Sequence, residues 1–245
     1  MRWLLDSTGY RAHTTSGRPQ ARYSLGQAFN RCPTPTHLRS SPVRAVQAEA
    51  PIIVVSGLPR SGTSLMMQML EAAGVPILDD GQREEDDSNP NGYYELEAVK
   101  ATAHDAAWVE EAPGHAVKVI HALLPHLPAH HHYQVLLMQR DVHEVIASQN
   151  RMLENDASSG PGMSDARLVE VFNQQMEETT RLLGAENHFE WTTVRHADLF
   201  GNDELSIRRI CRFLGRPGSV KKMRARIDPS LYRARATAPK APRKA

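Results

Sequence analysis

The chain has 245 residues, of which 40% are hydrophobic and 23% are charged, and its formal net charge at pH 7 is +1. This length predicts one α/β domain with flanking segments, and no apolar run reaches the ~20 residues of a membrane-spanning helix. A mean hydropathy of −0.47 argues against a membrane protein, and two cysteines, Cys32 and Cys211, give no disulfide framework. We therefore expect a soluble protein of the cytoplasm.

The two ends of the chain differ from its middle. Residues 1–50 contain seven arginines against two acidic residues and show no sustained apolar period. A disordered extension, an organellar presequence and sequence translated upstream of the true start all fit this segment. Residues 234–245 form a basic, Pro- and Ala-rich tail that predicts disorder, and the scarcity of aromatic residues there argues against a nucleic-acid partner. The ordered domain is predicted at residues 51–233.

The predicted domain opens with a strand, a glycine-bounded loop and a helix. IIVVS at 52–56 is a short β-branched run, which is typical of a strand buried on both faces. GLPRSGTS at 57–64 follows, and then a helix whose apolar residues share one face and which ends at Gly74. This order is the opening unit of a P-loop fold.

Strands and helices alternate along the rest of the domain. In chain order, the sequence predicts a turn-rich loop at 79–95, a helix at about 97–109, strands at 115–120 and 133–140, a helix capped by Asp141 with Glu144 at the capping-box position, a loop at 158–164, a helix from Ser164 to Gly184, a strand at 189–195 and a helix at 203–214. Such alternation implies a mostly parallel central sheet covered by helices on both faces. The predicted fold is a three-layer α/β P-loop domain.

Residues 57–64 are the first group of residues that predicts a binding site. Backbone N–H groups in such a loop converge on an anion, and the following helix adds its positive end. The spacing is that of GxxxxGK[ST], but Thr63 replaces the lysine and Arg60 supplies a cation inside the loop. The loop is therefore predicted to bind a phosphate-like group. Without the lysine, it should bind the β- and γ-phosphates of a nucleoside triphosphate poorly. An ordinary Gly-Pro turn is the alternative, and it leaves the spacing and the Ser/Thr cluster unexplained.

Arg140 and Ser148 form the second group. Arg140 ends a predicted buried strand. Ser148 lies two turns into the next helix, where helical spacing allows it to face the same side as the start of that helix. Ligands bind at the carboxyl ends of parallel strands, and a guanidinium with a hydroxyl suits a phosphate there. Taken alone, the pair also fits an ion-paired arginine beside a solvated serine. Together with residues 57–64, it predicts a second phosphate site.

These two groups of residues resemble motifs of the sulfotransferases that use 3′-phosphoadenosine 5′-phosphosulfate (PAPS). The resemblance rests on the PRSGTS loop after a strand, the RDxxEVxxS element at 140–148 and the block HADLFGNDELSIRRICRFLGRP at 196–217, and it covers about residues 51–233. It implies a P-loop sulfotransferase that moves a sulfuryl group from PAPS, without a metal, to a hydroxyl or amine. The acceptor is expected to be a small molecule, a carbohydrate or a lipid.

The resemblance also assigns roles to particular residues. Arg60 takes the place of the basic residue that meets the transferring group and the leaving phosphate, and Lys118 resembles a charge-stabilising strand lysine. A solvated lysine at a strand end is the alternative for Lys118. The implied ligands of the 5′-phosphosulfate are Ser61, Gly62, Thr63 and Ser64, and those of the 3′-phosphate are Arg140 and Ser148.

The catalytic base has several candidates. Some family members carry a histidine two residues after the strand lysine, where this chain has Ile120, and His121 follows it. If the strand continues, His121 points to the opposite side. Other branches use a glutamate in the loop after the first helix, which makes Glu84 or Glu85 the predicted base, with Glu95 behind them.

Adjacent histidines at positions 130–132 invite a metal interpretation. Three neighbouring residues cannot all point at one ion, and no Cys or carboxylate is suitably spaced in the sequence. We therefore interpret His130, His131 and His132 as surface residues and expect no metal site.

Two other functions compete with sulfuryl transfer. A P-loop small-molecule kinase would share the fold, although Thr63 in place of the lysine and the Arg140–Ser148 pair argue against it. A nucleotide-binding domain without turnover would share both the fold and the site. The unsettled base keeps this second alternative open.

Overall fold

The computed structural model describes residues 50–82, 92–155, 163–201 and 204–232. Within them, four strands form one parallel sheet in the order β2-β1-β3-β4. The strands are β1 (Ile52–Gly57), β2 (Ala116–Lys118), β3 (Tyr133–Gln139) and β4 (Phe189–Arg195). The predicted α/β class with a parallel sheet is confirmed.

Helices cover both faces of this sheet. They are α1 (Thr63–Ala72), α2 (Val142–Asn155), α3 (Asp165–Ala185), α4 (His196–Leu199), α5 (Leu205–Phe213) and α6 (Val220–Arg224). Short 3₁₀ helices lie at Glu97–Ala101, Ala107–Glu111, His121–His126, Pro217–Ser219 and Pro229–Leu231. None of the helices in the described ranges is both long and apolar enough to cross a membrane.

The core consists of two layers divided by the sheet. Ile53 and Val55 of β1 face a cluster that includes apolar residues of α1, α5 and α6. Ile52 and Val54 face a second cluster, to which α3 and the 3₁₀ helices contribute. Every residue of β1 is buried, which explains why its sequence is continuously apolar instead of alternating.

Gly74 ends α1 as the sequence predicts. Its backbone has a φ of +78°, a region that favours glycine. The N–H of Gly74 donates to Glu71 O at 2.8 Å and that of Val75 donates to Leu70 O at 3.0 Å. These two bonds form a Schellman motif, which satisfies carbonyls at the helix end.

The single helix predicted at about 97–109 is wrong, because two 3₁₀ helices replace it. Between them, the Thr102 hydroxyl donates to Val99 O at 2.6 Å and accepts a bond from Trp108 Nε1 at 3.0 Å. Asp105 Oδ1 accepts a bond from the N–H of Ala107 at 3.0 Å. Such local side-chain bonds compete with a continuous helical ladder.

Strand β2 is shorter than the predicted strand at 115–120. The N–H of Val119 still donates to Val55 O at 3.0 Å, after which the chain turns into the 3₁₀ helix His121–His126. Nδ1 of the His121 ring lies 3.2 Å from the carbonyl oxygen of Gly57. Since the strand does not continue to His121, an alternating-strand argument does not apply to that residue.

Candidate active site

Residues 57–64, which we call the anion loop, connect β1 to α1. Gly57 has a φ of +148°, and a Cβ on it would lie 2.7 Å from Met138 O. Gly62 has a φ of +99°, and a Cβ on it would lie 2.5 Å from His196 Cδ2. Glycine is therefore required at both positions for backbone conformation and for space. Arg60 also has a positive φ, of 69°, without being a glycine.

The anion loop presents donors at the start of α1. Gly62 is the N-cap of α1 and provides no side-chain cap, so the N–H groups of the first turn point toward the anion loop without a capping side chain. The Ser61 hydroxyl is buried and has no hydrogen-bond partner within the described part of the chain. A helix N-terminus without a side-chain cap, beside a buried hydroxyl, suits a phosphate-like anion.

The structure brings the anion loop and the second predicted group into direct contact. Arg60 Nε donates to Ser148 Oγ at 3.1 Å. Arg140 Nη1 donates to the backbone carbonyl of Arg60 at 3.0 Å. Residues separated by about eighty positions in the chain therefore form one cationic cluster at the carboxyl ends of β1 and β3.

Glu144 and Tyr232 hold Arg140 in this cluster. Glu144 Oε2 accepts a bond from Arg140 Nε at 3.0 Å, and both side chains are at most 9% exposed. The Tyr232 hydroxyl donates to Glu144 Oε1 at 3.0 Å, and Arg140 Cζ lies 5.5 Å from the centre of the Tyr232 ring. The four-residue spacing of Arg140 and Glu144 could have suggested their pairing. No local signal connects Tyr232 to them.

The His196 side chain packs against the anion loop. Its buried ring lies against Gly62 and contacts the rings of Phe200 and Tyr232 at centroid distances of 4.9 and 5.0 Å. Burial lowers the pKa of His196 to about 4; the Arg140 charge acts in the same direction and the Glu144 charge opposes it. His196 is therefore neutral at pH 7 and adds no charge to the cluster.

Lys118 lies beside the first turn of α1. Its Nζ donates to Tyr93 O at 2.7 Å and lies 3.2 Å from Glu95 Oε1 and 3.4 Å from Ser64 Oγ. The Lys118 side chain is 12% exposed. Since a solvated strand-end lysine would be far more exposed, that alternative does not describe Lys118.

A protein-family model agrees with this geometry. The model of the sulfotransferase domain matches residues 50–235, which is more than half of the chain. The chain belongs to the sulfotransferase family. No curated protein matches it. Family membership makes the chain a transferase of sulfuryl groups.

The candidate bases of this sulfotransferase occupy different surroundings. Glu84 and Glu85 lie outside the described residues and stay predictions. Glu95 is 27% exposed and pairs with Lys118, whose Nζ lies 3.4 Å from Ser64 Oγ at the start of α1. His121 is buried against Gly57, and burial lowers its pKa. Glu95, which the sequence ranked behind Glu84 and Glu85, thus lies beside Lys118.

Two tyrosines precede Glu95 in the chain, and each has a defined contact. The ring of Tyr93 is buried, with its centre 5.8 Å from Lys118 Nζ. Tyr94 has a φ of +52°, and its hydroxyl donates to Glu71 Oε2 at 2.9 Å. Tyr93 therefore packs against the lysine of the candidate site, whereas Tyr94 is tied to α1.

The surface interpretation of the histidine run is wrong for His131. Its side chain is 6% exposed. His130 Nε2 and His131 Nε2 lie 3.1 and 3.2 Å from Glu110 Oε1. No carboxylate is suitably spaced along the sequence, but the 3₁₀ helix Ala107–Glu111 brings Glu110 to the two rings.

Proposed function

We propose that this sulfotransferase uses PAPS as its donor and moves the sulfuryl group to a hydroxyl or amine of its acceptor. The observation that carries the proposal is the contact of Arg60 with Ser148 and of Arg140 with the Arg60 carbonyl. These two contacts join the anion loop, at the N-terminus of α1, to the group formed by Arg140 and Ser148. Two adjacent anion sites suit a nucleotide that carries phosphates at separate positions of its ribose.

The proposal gives each group a binding role. The anion loop, with Ser61, Gly62, Thr63 and Ser64, would hold the 5′-phosphosulfate at the positive end of α1. Arg140 and Ser148 would hold the 3′-phosphate. Arg60 lies between the two sets, since its side chain reaches Ser148 from within the anion loop.

The reaction follows from where charge develops. The acceptor oxygen or nitrogen attacks sulfur in line and forms the new bond as the bond from sulfur to the bridging oxygen breaks. The acceptor proton passes to a base, and adenosine 3′,5′-bisphosphate leaves with the added negative charge. Arg60, Lys118 and the amide dipoles of the anion loop would stabilise that charge, so the proposed step needs no metal.

Glu95 is the base that the described residues favour. Its carboxylate lies 3.2 Å from Lys118 Nζ, and Lys118 in turn approaches Ser64 in the anion loop. In-line transfer requires the acceptor to approach sulfur from the side opposite the leaving oxygen, and a carboxylate beside the anion loop could take the acceptor proton on that side. Glu84 and Glu85 remain the competing positions in the same connecting segment.

Calorimetry with nucleotides tests the donor. We expect micromolar-class binding of adenosine 3′,5′-bisphosphate and weaker binding of ATP that does not depend on Mg²⁺. The reason is that Arg140 and Ser148 offer a second phosphate site, whereas Thr63 replaces the lysine of a nucleotide-hydrolysing P-loop. Tighter, Mg²⁺-dependent binding of ATP would favour the kinase alternative instead.

Tyr232→Phe tests whether Tyr232 positions Arg140. The change removes only the hydroxyl that donates to Glu144, and we expect about tenfold weaker binding of adenosine 3′,5′-bisphosphate, the effect of losing roughly 1.4 kcal/mol. Adenosine 5′-phosphosulfate, which lacks the 3′-phosphate, should lose less. Tyr133→Phe is the matched control, because its hydroxyl donates to Pro128 O at the other end of the sheet. Equal losses in both variants would contradict the positioning role.

A further inference from the structure

Glu110, His130 and His131, which we call the Glu110 cluster, lie far from the anion loop. The histidines precede Tyr133, the first residue of β3, whereas the anion loop follows the carboxyl end of the parallel neighbour β1. Each residue offers one ligand atom, and these atoms lie within 4.8 Å of one another. The cluster is therefore outside the machinery of sulfuryl transfer.

The fold holds the cluster from two sides. Glu110 belongs to the 3₁₀ helix Ala107–Glu111, whose Trp108 and Val109 are buried in the core. His131 is buried as well, and its ring meets the ring of Tyr133 edge-on at 6.5 Å. Tyr133 in turn fixes the preceding turn, since its hydroxyl donates to Pro128 O at 2.9 Å. The backbone on both sides is thus anchored before any ligand binds.

The separations suit a transition-metal ion. Nitrogen and oxygen ligands bind Zn²⁺ at about 2.0–2.2 Å, which places neighbouring ligands of a tetrahedron about 3.3–3.6 Å apart. The two nitrogen-to-oxygen distances at Glu110 Oε1 are 3.1 and 3.2 Å. Two imidazoles with one carboxylate favour zinc and similar ions over Mg²⁺ or Ca²⁺.

We propose that the Glu110 cluster is a binding site for one divalent transition-metal ion of the zinc type. Glu110 and His130 are each 64% exposed, so the ion would enter directly from solvent and complete its coordination with water. Bound there, it would connect the 3₁₀ helix Ala107–Glu111 to the turn before β3. Its effect is on stability, because an ion that binds only the folded state shifts unfolding to higher temperature.

Titration of the full chain with Zn²⁺ tests this site. Calorimetry and thermal melting should show binding to the unaltered protein with a rise in melting temperature, and no comparable rise with Mg²⁺. Glu110→Gln and His130→Gln should each weaken Zn²⁺ binding by at least tenfold and reduce the rise. Both positions are exposed, so neither change disturbs the core.

His132→Gln is the matched control, because His132 is exposed and adjacent but lies outside the cluster. It should change Zn²⁺ affinity by less than twofold. An equal loss in the His132→Gln and His130→Gln variants would show that the histidine run binds Zn²⁺ without preference for the residues of the Glu110 cluster and would overturn the proposal. Unchanged binding in Glu110→Gln, or no Zn²⁺ binding by the unaltered protein, would overturn it as well.

Discussion

Replacing Arg60 with alanine should lower the turnover of sulfuryl transfer by about 100- to 1,000-fold, the usual cost of removing a group aimed at developing charge. Arg60 is the cation within the anion loop, and its Nε reaches Ser148 at the adjacent phosphate site. The bond from Arg140 uses the backbone carbonyl of Arg60, which alanine retains. The loop should therefore keep its conformation while it loses the charge.

The measurement is steady-state turnover with labelled PAPS, after hydroxyl and amine compounds have been screened for an acceptor. Arg167→Ala is the matched control, because this exposed arginine of α3 pairs only weakly across the surface with Glu170. Arg60→Lys should recover part of the activity, since it restores the charge without the planar fork of the guanidinium. A variant that loses nucleotide affinity but keeps its turnover number would show that Arg60 binds the donor without assisting the reaction.

The structure changes how an Arg140→Ala experiment is interpreted. From the sequence, Arg140 is a ligand of the 3′-phosphate alone, so the variant should spare adenosine 5′-phosphosulfate. In the structure, Arg140 also holds the carbonyl of Arg60, whose φ is positive. Loss of Arg140 should therefore weaken both ligands, and Tyr232→Phe is the narrower test because it leaves that bond in place.

The strands and the order of the fold could be predicted because their signals are local. The runs IIVV of β1 and VLLM of β3 are apolar without alternation since they are buried between two layers of helices, and Gly74 marks the end of α1 through a backbone angle that glycine favours. The helix predicted at about 97–109 does not form, because Thr102 and Asp105 bond to nearby groups and interrupt it. Helical periodicity alone does not reveal that competition.

Some residues of the candidate site could also be predicted from local signals, and others could not. Residues within one motif, such as Arg60 or Arg140, could be proposed from their spacing and from a family resemblance. Tyr232 and His196 of this site, and Glu110 of the separate Glu110 cluster, could not, because each meets its partners only after distant parts of the chain have folded together. Their residue types are common on surfaces and in cores, so position in space is what distinguishes them.

Glu95→Gln should lower turnover by about 100- to 10,000-fold while binding of adenosine 3′,5′-bisphosphate stays within a few-fold of the unaltered protein. The carboxylate stands beside Lys118 at the start of α1, where the acceptor would approach the sulfuryl group. Glutamine keeps the shape of the side chain but cannot take the acceptor proton. Turnover and calorimetry together separate this loss from a loss of donor binding.

The pH profile distinguishes a base from a residue that only positions Lys118. In the unaltered enzyme, kcat/KM should fall at low pH as the base becomes protonated, because the protonated carboxyl group cannot accept the acceptor proton. Glu95→Gln should lose that fall along with most of the activity. A variant that is slow but keeps the same acidic decline would show that Glu95 acts through Lys118 and that another residue is the base.

Three further variants compare the competing positions. Glu84→Gln and Glu85→Gln test the base predicted from the sequence, and His121→Gln tests the histidine near Lys118 while retaining a donor toward the Gly57 carbonyl. If Glu95→Gln is fully active and one of these is not, the inactive variant identifies the base. If all four variants keep their activity, the acceptor is acidic enough to react without a base, and charge stabilisation by Arg60 and Lys118 accounts for catalysis.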